Sequence, residues 1–226
     1  KVRVIPKGVD LDRLGLRGPV PAGRFEPGPD LLPGADPQDH RVLFVGRMVP
    51  YKGLSGLLDA VARVVPSVPR LKLYLAGSGP ERPSLEARVS RLGLSEVVQF
   101  LGFVPDERLG ELYRSADVVA CPSIGRLEST ATTLEEAAAL GTPTLGSDLP
   151  GASETVPDDG VRGLLCPPGD IEAIQRALER LLGQPRPPPP GAPRTWDDTA
   201  EDYRKLFEEL GFAPPFAPNL LNGATG

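Results

Sequence analysis

The chain is poor in several residue types, and each scarcity argues against a class of protein. Only two of its 226 residues are cysteine, Cys121 and Cys166, and neither has a neighbour at metal-ligand spacing. It does not read as a disulfide-stapled secreted domain, and a cytoplasmic setting is expected. Its one histidine, His40, precedes a strand and reads as a surface residue rather than a catalytic base. No apolar run approaches the length of a membrane span, so no transmembrane segment is expected. Cations are outnumbered, 25 Lys and Arg against 30 Asp and Glu, for a net charge of -5. Phosphate backbones are held by clustered cations, so nucleic acid is not the expected partner. A small anion can still be held where a few cations converge. The chain starts at Lys1, without an initiator Met or a signal peptide, and reads as cut from a longer protein.

What is present is an alternation of strand and helix patterns. Apolar residues make up 40% of the chain, enough to bury a core at this size. After an opening strand at Val2 to Ile5, short apolar runs at Val42 to Val45, Leu71 to Ala76, Val97 to Leu101 and Val118 to Cys121 are each bounded by Gly, Pro or Ser. Such runs mark strands buried on both faces. Two weaker strand candidates follow at Pro143 to Leu145 and Gly163 to Cys166. Helical patterns fall between them at Leu54 to Val65, Glu81 to Leu92, Asp106 to Ser115, Ala131 to Leu140 and Ile171 to Leu182. Strands and helices alternating at these lengths predict a Rossmann-like, doubly wound parallel sheet of the α/β class. Ligands of such sheets bind outside the carboxyl ends of the strands.

Three segments depart from the pattern. Gly15 to Asp39 is crowded with Pro and Gly and reads as a long surface loop. Pro185 to Pro193 contains four consecutive prolines and reads as a polyproline linker closing a domain of residues 1–184. In 194–226, Thr195 resembles the N-cap of a helix running to Leu210, followed by a loose tail.

Three constellations carry candidate chemistry. Gly46-Arg47 and Lys52-Gly53 lie in the loop after the first core strand, where flanking glycines let a backbone approach a diphosphate and a helix N-terminus adds to the positive field. The same two cations also read as ordinary solvated loop residues. Gly77-Ser78-Gly79-Pro80 has Arg82 where a dinucleotide fingerprint needs its third glycine, so it reads as a tight turn with Pro80 opening the next helix. Glu128 and Glu136 form an E-x7-E pair, one in the loop after a buried strand and one about two turns into the following helix. Ser129 and Thr130 would cap that helix, and carboxylates can accept from vicinal hydroxyls. Solvated surface charges are the other reading. Glu135 and Glu136 differ by about 100° around the helix, so one of them faces a pocket, and the spacing favours Glu136.

The order of these segments resembles the C-terminal domain of the retaining GT-B glycosyltransferases of family 4, the glycosyl transferases group 1. The resemblance is carried by Val4-Ile5-Pro6-Lys7-Gly8-Val9-Asp10, by Val45-Gly46-Arg47 with Lys52-Gly53, and by Leu75-Ala76-Gly77-Ser78-Gly79-Pro80. It continues through Phe100-Leu101-Gly102-Phe103-Val104, Glu128 to Glu136 with Gly141-Thr142-Pro143, Asp159-Gly160 with Gly163-Leu164-Leu165, and Pro167-Pro168-Gly169-Asp170. It implies the C-terminal half of a GT-B fold, binding a nucleotide sugar as substrate, with no cofactor and no metal. Arg47 and Lys52 would neutralise the diphosphate as it leaves, and Glu128 would contact the transferred sugar. Glu136 would hold the ribose, main chain near Phe103 and Val104 would pair with the base, and Gly46, Gly79, Ser129 and Thr130 would line the donor.

The chain departs from the family at Lys7, where Asn is usual, and at Ser129, Thr130 and Ala131, where Gly-Phe-Gly is typical. Asp10-Leu11-Asp12 mimics a D-x-D metal motif but lies at the domain entry, and no metal is assigned to it. The resemblance further implies a missing N-terminal acceptor-binding domain, toward which the helix from Trp196 to Leu210 would cross. The donor-binding chain alone would then be inactive in transfer. A nucleotide-sugar epimerase or phosphorylase on a related scaffold, and a non-catalytic nucleotide-binding module, are the alternatives.

Overall fold

A computed structural model of the chain describes residues 8–15, 23–28, 31–125, 132–188 and 194–211. The strand expected at Val2 to Ile5, and the tail after Gly211, lie outside these residues. Elements alternate as the apolar runs dictate. In chain order they are β1 (His40–Val45), α1 (Leu54–Val64), β2 (Leu71–Ala76), α2 (Arg82–Arg91), β3 (Val98–Gly102) and α3 (Asp106–Ser115). There follow β4 (Val118–Cys121), α4 (Thr132–Ala139), β5 (Thr144–Ser147), α5 (Ala152–Thr155), β6 (Gly163–Cys166) and α6 (Ile171–Leu182). The six strands form one parallel sheet in the order β3-β2-β1-β4-β5-β6. This is the expected Rossmann-like α/β architecture.

The apolar runs become strands because both faces are covered. Val42, Leu43 and Phe44 of β1, Leu73 and Leu75 of β2, and Val118, Val119 and Ala120 of β4 are buried. The α1 helix turns Leu57, Leu58, Val61 and Val64 inward, and it packs against α6, which buries Ile174, Ala177, Leu178 and Leu181. Cys121 and Cys166 end β4 and β6, on either side of β5, are both buried, and form no disulfide. Burial pushes the Cys166 thiol up to about 11. Thiol reagents at pH 8 are therefore expected to leave Cys166 unmodified in the folded chain and to label both cysteines in denaturant. Rapid labelling of the native protein would contradict the buried placement.

Two details differ from the reading of the sequence. The helix expected to open at Pro80 begins at Arg82, with Pro83 in its first turn. The residues before it are held elsewhere, since Met48 N–H donates to Ser78 O at 2.8 Å and Glu81 N–H to Met48 O at 3.1 Å. A 3-10 turn at Pro50–Lys52 and the four-residue α5 are too short to show a period in sequence.

The segment 15–39 has no strand or helix among its described residues, yet it is bound to the domain at the amino ends of the strands. Leu31 and Leu32 are buried. The Arg24 guanidinium donates to both oxygens of Asp117, at 3.1 and 2.9 Å, and to Asp39 O at 2.9 Å. Arg41, 1% exposed inside β1, donates to Glu26 Oε2 at 2.7 Å and to the carbonyls of Asp36 and Ser115. A buried guanidinium needs such acceptors. His40, expected before a strand, is the half-buried first residue of β1.

The proline-rich segment also makes specific contacts. Arg186 donates to the carbonyls of Arg114 at 2.8 Å, Ala116 at 2.9 Å and Gly141 at 3.2 Å, and to Thr142 Oγ1 at 2.6 Å. Burial pushes its guanidinium down to about 10.

The described residues 8–10 and 194–211 group as a compact unit separate from the described residues between 11 and 188. Within that smaller unit Val9 N–H donates to Arg194 O at 2.9 Å, and Val9 pairs with Thr195 in a parallel bridge. The α7 helix (Trp196–Glu209) opens on a capping box of Thr195 and Asp198. Trp196, Tyr203 and Phe207 are exposed along it, as is Leu210 just beyond its end.

Candidate functional site

Strand order reverses between β1 and β4, which opens a crevice at the carboxyl ends of the sheet. Three successive loops form its rim. Gly46 N–H donates to Ala76 O at 3.0 Å, and Gly77 N–H donates to Gly102 O at 2.6 Å, so the ends of β1, β2 and β3 are tied in series.

The loop after β1 carries Arg47 and Lys52. Arg47 is exposed, and its Nη2 donates to Tyr51 Oη at 2.9 Å. Lys52 Nζ stands 5.8 Å from the Tyr51 ring centroid, within the range of a cation–π contact. Tyr51 thus lies between the two cations, a role the sequence pattern did not single out. The loop is anchored across the crevice, because Ile124 N–H donates to Tyr51 O at 2.8 Å. Gly53 permits that anchor. Its φ is +69°, and a Cβ there would sit 2.1 Å from Pro122 O in the loop after β4. Gly53→Ala is expected to lower the melting temperature by about 5 °C or more, measured by calorimetry, because left-handed backbone and a main-chain clash coincide. An unchanged melting temperature would show that the two loops are not held together.

The Gly77-Ser78-Gly79 turn packs on this loop from the β2 side. A Cβ on Gly77 would lie 2.0 Å from Gly46 O, and one on Gly79 would lie 2.3 Å from Met48 O. These glycines therefore serve main chain against main chain. That explains why the turn needs two glycines and not the third of a dinucleotide fingerprint.

After β3 the chain reaches Phe103, 80% exposed, and the half-buried Val104. Both border a concavity of about 360 Å³ lined also by Leu31, Pro33, Gln99 and Arg108. Gln99 Nε2 donates to Pro33 O at 3.0 Å, while its buried Oε1 has no partner among the described residues.

On the β4 side, Glu128, Ser129 and Thr130 lie outside the described residues. The structure describes the helix that follows them. Thr133 Oγ1 in the first turn of α4 donates to Val45 O at 3.2 Å, which sets that turn beside the start of the Arg47 loop. Glu136, one turn further on, is 4% exposed, and Glu135 is half-buried. Glu136 Oε2 accepts from Tyr113 Oη at 2.8 Å, and Oε1 pairs with Arg13 Nη2. Its two oxygens are thus held from α3 and from the turn at residues 11–15. Burial, followed by the charge of Glu136, pushes the Tyr113 phenol well above its ordinary value, so Tyr113 is a neutral donor at physiological pH. Burial opposes the charge of Arg13, but the hydrogen bond to Asp106 and the charges of Glu136 and Asp106 outweigh it and raise its value. Tyr113 shares the buried face of α3 with Leu109 and Leu112, so in sequence it looks like core. Arg13 lies 123 residues from its partner and carries no local signal. Among the described residues no three His, Cys, Asp or Glu side chains converge to hold a metal ion, and no helix is long and apolar enough to cross a membrane.

An all-parallel, doubly wound sheet with a polar crevice at its switch point defines a Rossmann-like α/β domain of the kind found in GT-B glycosyltransferases. Residues 33–201 match the family model for glycosyl transferases group 1, and the chain belongs to that family. It is 33% identical to the D-inositol 3-phosphate glycosyltransferase of Segniliparus rotundus over 95% of this chain and 49% of that protein. It is 40% identical to the phosphatidyl-myo-inositol mannosyltransferase of Mycobacterium leprae over 79% of this chain and 43% of that protein. The chain thus spans about half the length of the curated relatives it matches. Among solved structures it is similar to sucrose-phosphate synthase from Thermosynechococcus elongatus, with a TM-score of 0.67 at 26% identity over 92% of this chain and 52% of that one. It is also similar to Anabaena HepE in complex with UDP-glucose, with a TM-score of 0.56 at 26% identity over 77% of this chain and 49% of that one.

Proposed function

We propose that this chain is the donor-binding part of a retaining, metal-independent glycosyltransferase that acts in the cytoplasm and takes a nucleoside-diphosphate sugar. The observation that carries the reading is the loop after β1. It presents Arg47 and Lys52 around Tyr51, and it is anchored across the switch-point crevice where the fold binds ligands. The likeness to a glycosyltransferase whose structure holds UDP-glucose supports it.

In this reading the diphosphate lies against Arg47 and Lys52, and Gly46 and Gly79 let the main chain approach it. The base sits at Phe103 and Val104, and the ribose meets Glu136. Glu128 and the backbone of Ser129 and Thr130 take the transferred sugar. As the bond from the anomeric carbon to the diphosphate oxygen breaks, negative charge grows on the leaving group. Arg47 and Lys52 stabilise that charge, the task a metal ion performs in other transferases. The acceptor hydroxyl attacks from the face the diphosphate leaves, its proton passes to the departing diphosphate oxygen, and the anomeric configuration is kept.

We place the acceptor-binding domain in the part of the relatives' length that this chain does not span, covering the exposed side chains of α7. The chain alone then binds donor without transferring it. A thermal-shift panel of nucleoside diphosphates and their sugars tests this, because only ligands of the folded state raise its melting temperature. The expected result is a rise with one base series and no sugar turnover. Isomerisation of a sugar nucleotide by the chain alone would contradict the reading, as would the absence of any shift.

A further inference from the structure

Arg13 stands on a short turn that is fixed to α3. Leu14 is fully buried, and its carbonyl accepts from Gly110 N–H at 3.2 Å. A Cβ on Gly15 would lie 2.0 Å from Glu107 O, so the turn lies directly on the helix backbone. From this anchor Arg13 reaches two carboxylates. Nη1 donates to Asp106 Oδ2 at 2.9 Å, and Nη2 pairs with Glu136 Oε1. Tyr113 holds the other Glu136 oxygen.

A carboxylate gripped at one oxygen can still turn about its last torsion, which has broad wells. Donors on both oxygens, from two different segments, stop that rotation. Asp106 braces the guanidinium at its other terminal nitrogen, Nη1.

We propose that Arg13 is a positioning residue for Glu136, fixing with Tyr113 the orientation in which that carboxylate meets the ribose hydroxyls of the donor. The inference rests on the reading of Glu136 given above. Its mark is discrimination between a ribose and a sugar without hydroxyls, rather than affinity alone.

The test is calorimetry on the 226-residue chain. It uses whichever of UDP, GDP and ADP binds, together with the 2′,3′-dideoxy form of the same nucleotide. Arg13→Gln is expected to weaken the ribonucleotide and leave the dideoxy form unchanged, so that the ratio of their affinities falls by about tenfold. Arg13→Lys restores part of the ratio, and Asp106→Asn, which removes only the brace, lowers it by about threefold. An Arg13 that merely stabilises the fold would weaken both ligands alike and leave the ratio unchanged, which overturns the proposal. If Arg13→Gln does not fold, an unchanged ratio in Asp106→Asn overturns it equally. Glu136→Gln separates the two levels. If it leaves the ratio unchanged, the ribose role of Glu136 fails. If it collapses the ratio while Arg13→Gln does not, only the positioning role fails.

Discussion

Replacing Arg47 and Lys52 together by alanine is expected to weaken nucleoside-diphosphate binding by about a hundredfold or more, while the parent nucleoside binds as before. Each cation would make charge-assisted hydrogen bonds to the diphosphate, worth about 1.5–3 kcal/mol apiece, and tenfold in affinity is about 1.4 kcal/mol. The two sites share Tyr51, so the single variants are expected not to add. Arg47→Ala removes the partner of the Tyr51 hydroxyl and releases the ring against which Lys52 stands. Calorimetry at two salt concentrations checks the origin of the effect, because the wild-type affinity falls with salt and that of the double variant falls less. Equal loss of nucleoside and nucleoside-diphosphate binding would mean that the loop had unfolded rather than lost an anion clamp.

The second large effect concerns stability. Arg186→Ala is expected to lower stability by about 3–4 kcal/mol, or roughly 10 °C in melting temperature for a chain of this size. The guanidinium serves the carbonyls of Arg114, Ala116 and Gly141 and the hydroxyl of Thr142. Its removal leaves several of these acceptors without their protein donor. Lysine is expected to recover little, since a point charge cannot reproduce the flat fork that reaches four acceptors. Arg204→Ala on α7 is the control. Its partners Glu201 and Glu208 are exposed, and its loss is expected to move the melting temperature by less than about 2 °C. A small effect from Arg186→Ala would show that the segment after α6 is only loosely attached.

These examples show which parts of the molecule can be read from sequence. The sheet is legible because strands buried on both faces must be runs such as Leu71 to Ala76, and the helices between them carry a 3.6-residue period. Arg47 and Lys52 stand out as candidates because glycines flank them at a strand end. The pair alone reads equally as solvated loop charge, and only its order with the segments after β2 and β4 singles it out. Tyr51 does not stand out, since an aromatic between two cations looks like any loop residue until Ile124 fixes the loop from across the crevice.

The basal arginines are hidden for a different reason. Arg24 and Asp117 are 93 residues apart, and Arg41 interrupts an apolar strand in a way that local propensity counts only as a blemish. Arg186 sits among prolines whose composition argues for a linker, while its hydrogen bonds depend on where α3 and the α4–β5 turn come to lie. Glu136 is an intermediate case. Its place in E-x7-E marks it, but the pattern carries no trace of Tyr113 or Arg13, because long-range partners leave no period. Glu128, Ser129 and Thr130, the other half of that pattern, lie outside the described residues.

Hydrogen exchange of the chain with and without its tightest-binding nucleoside diphosphate locates the donor most directly. Protection is expected in four places, at residues 46–53, 77–79, 103–104 and 132–136, with none added around Arg24, Arg41 and Asp117 at the amino ends of the central strands. Protection confined to those amino ends, or saturating binding that leaves residues 46–53 unprotected, would contradict a donor held by Arg47 and Lys52.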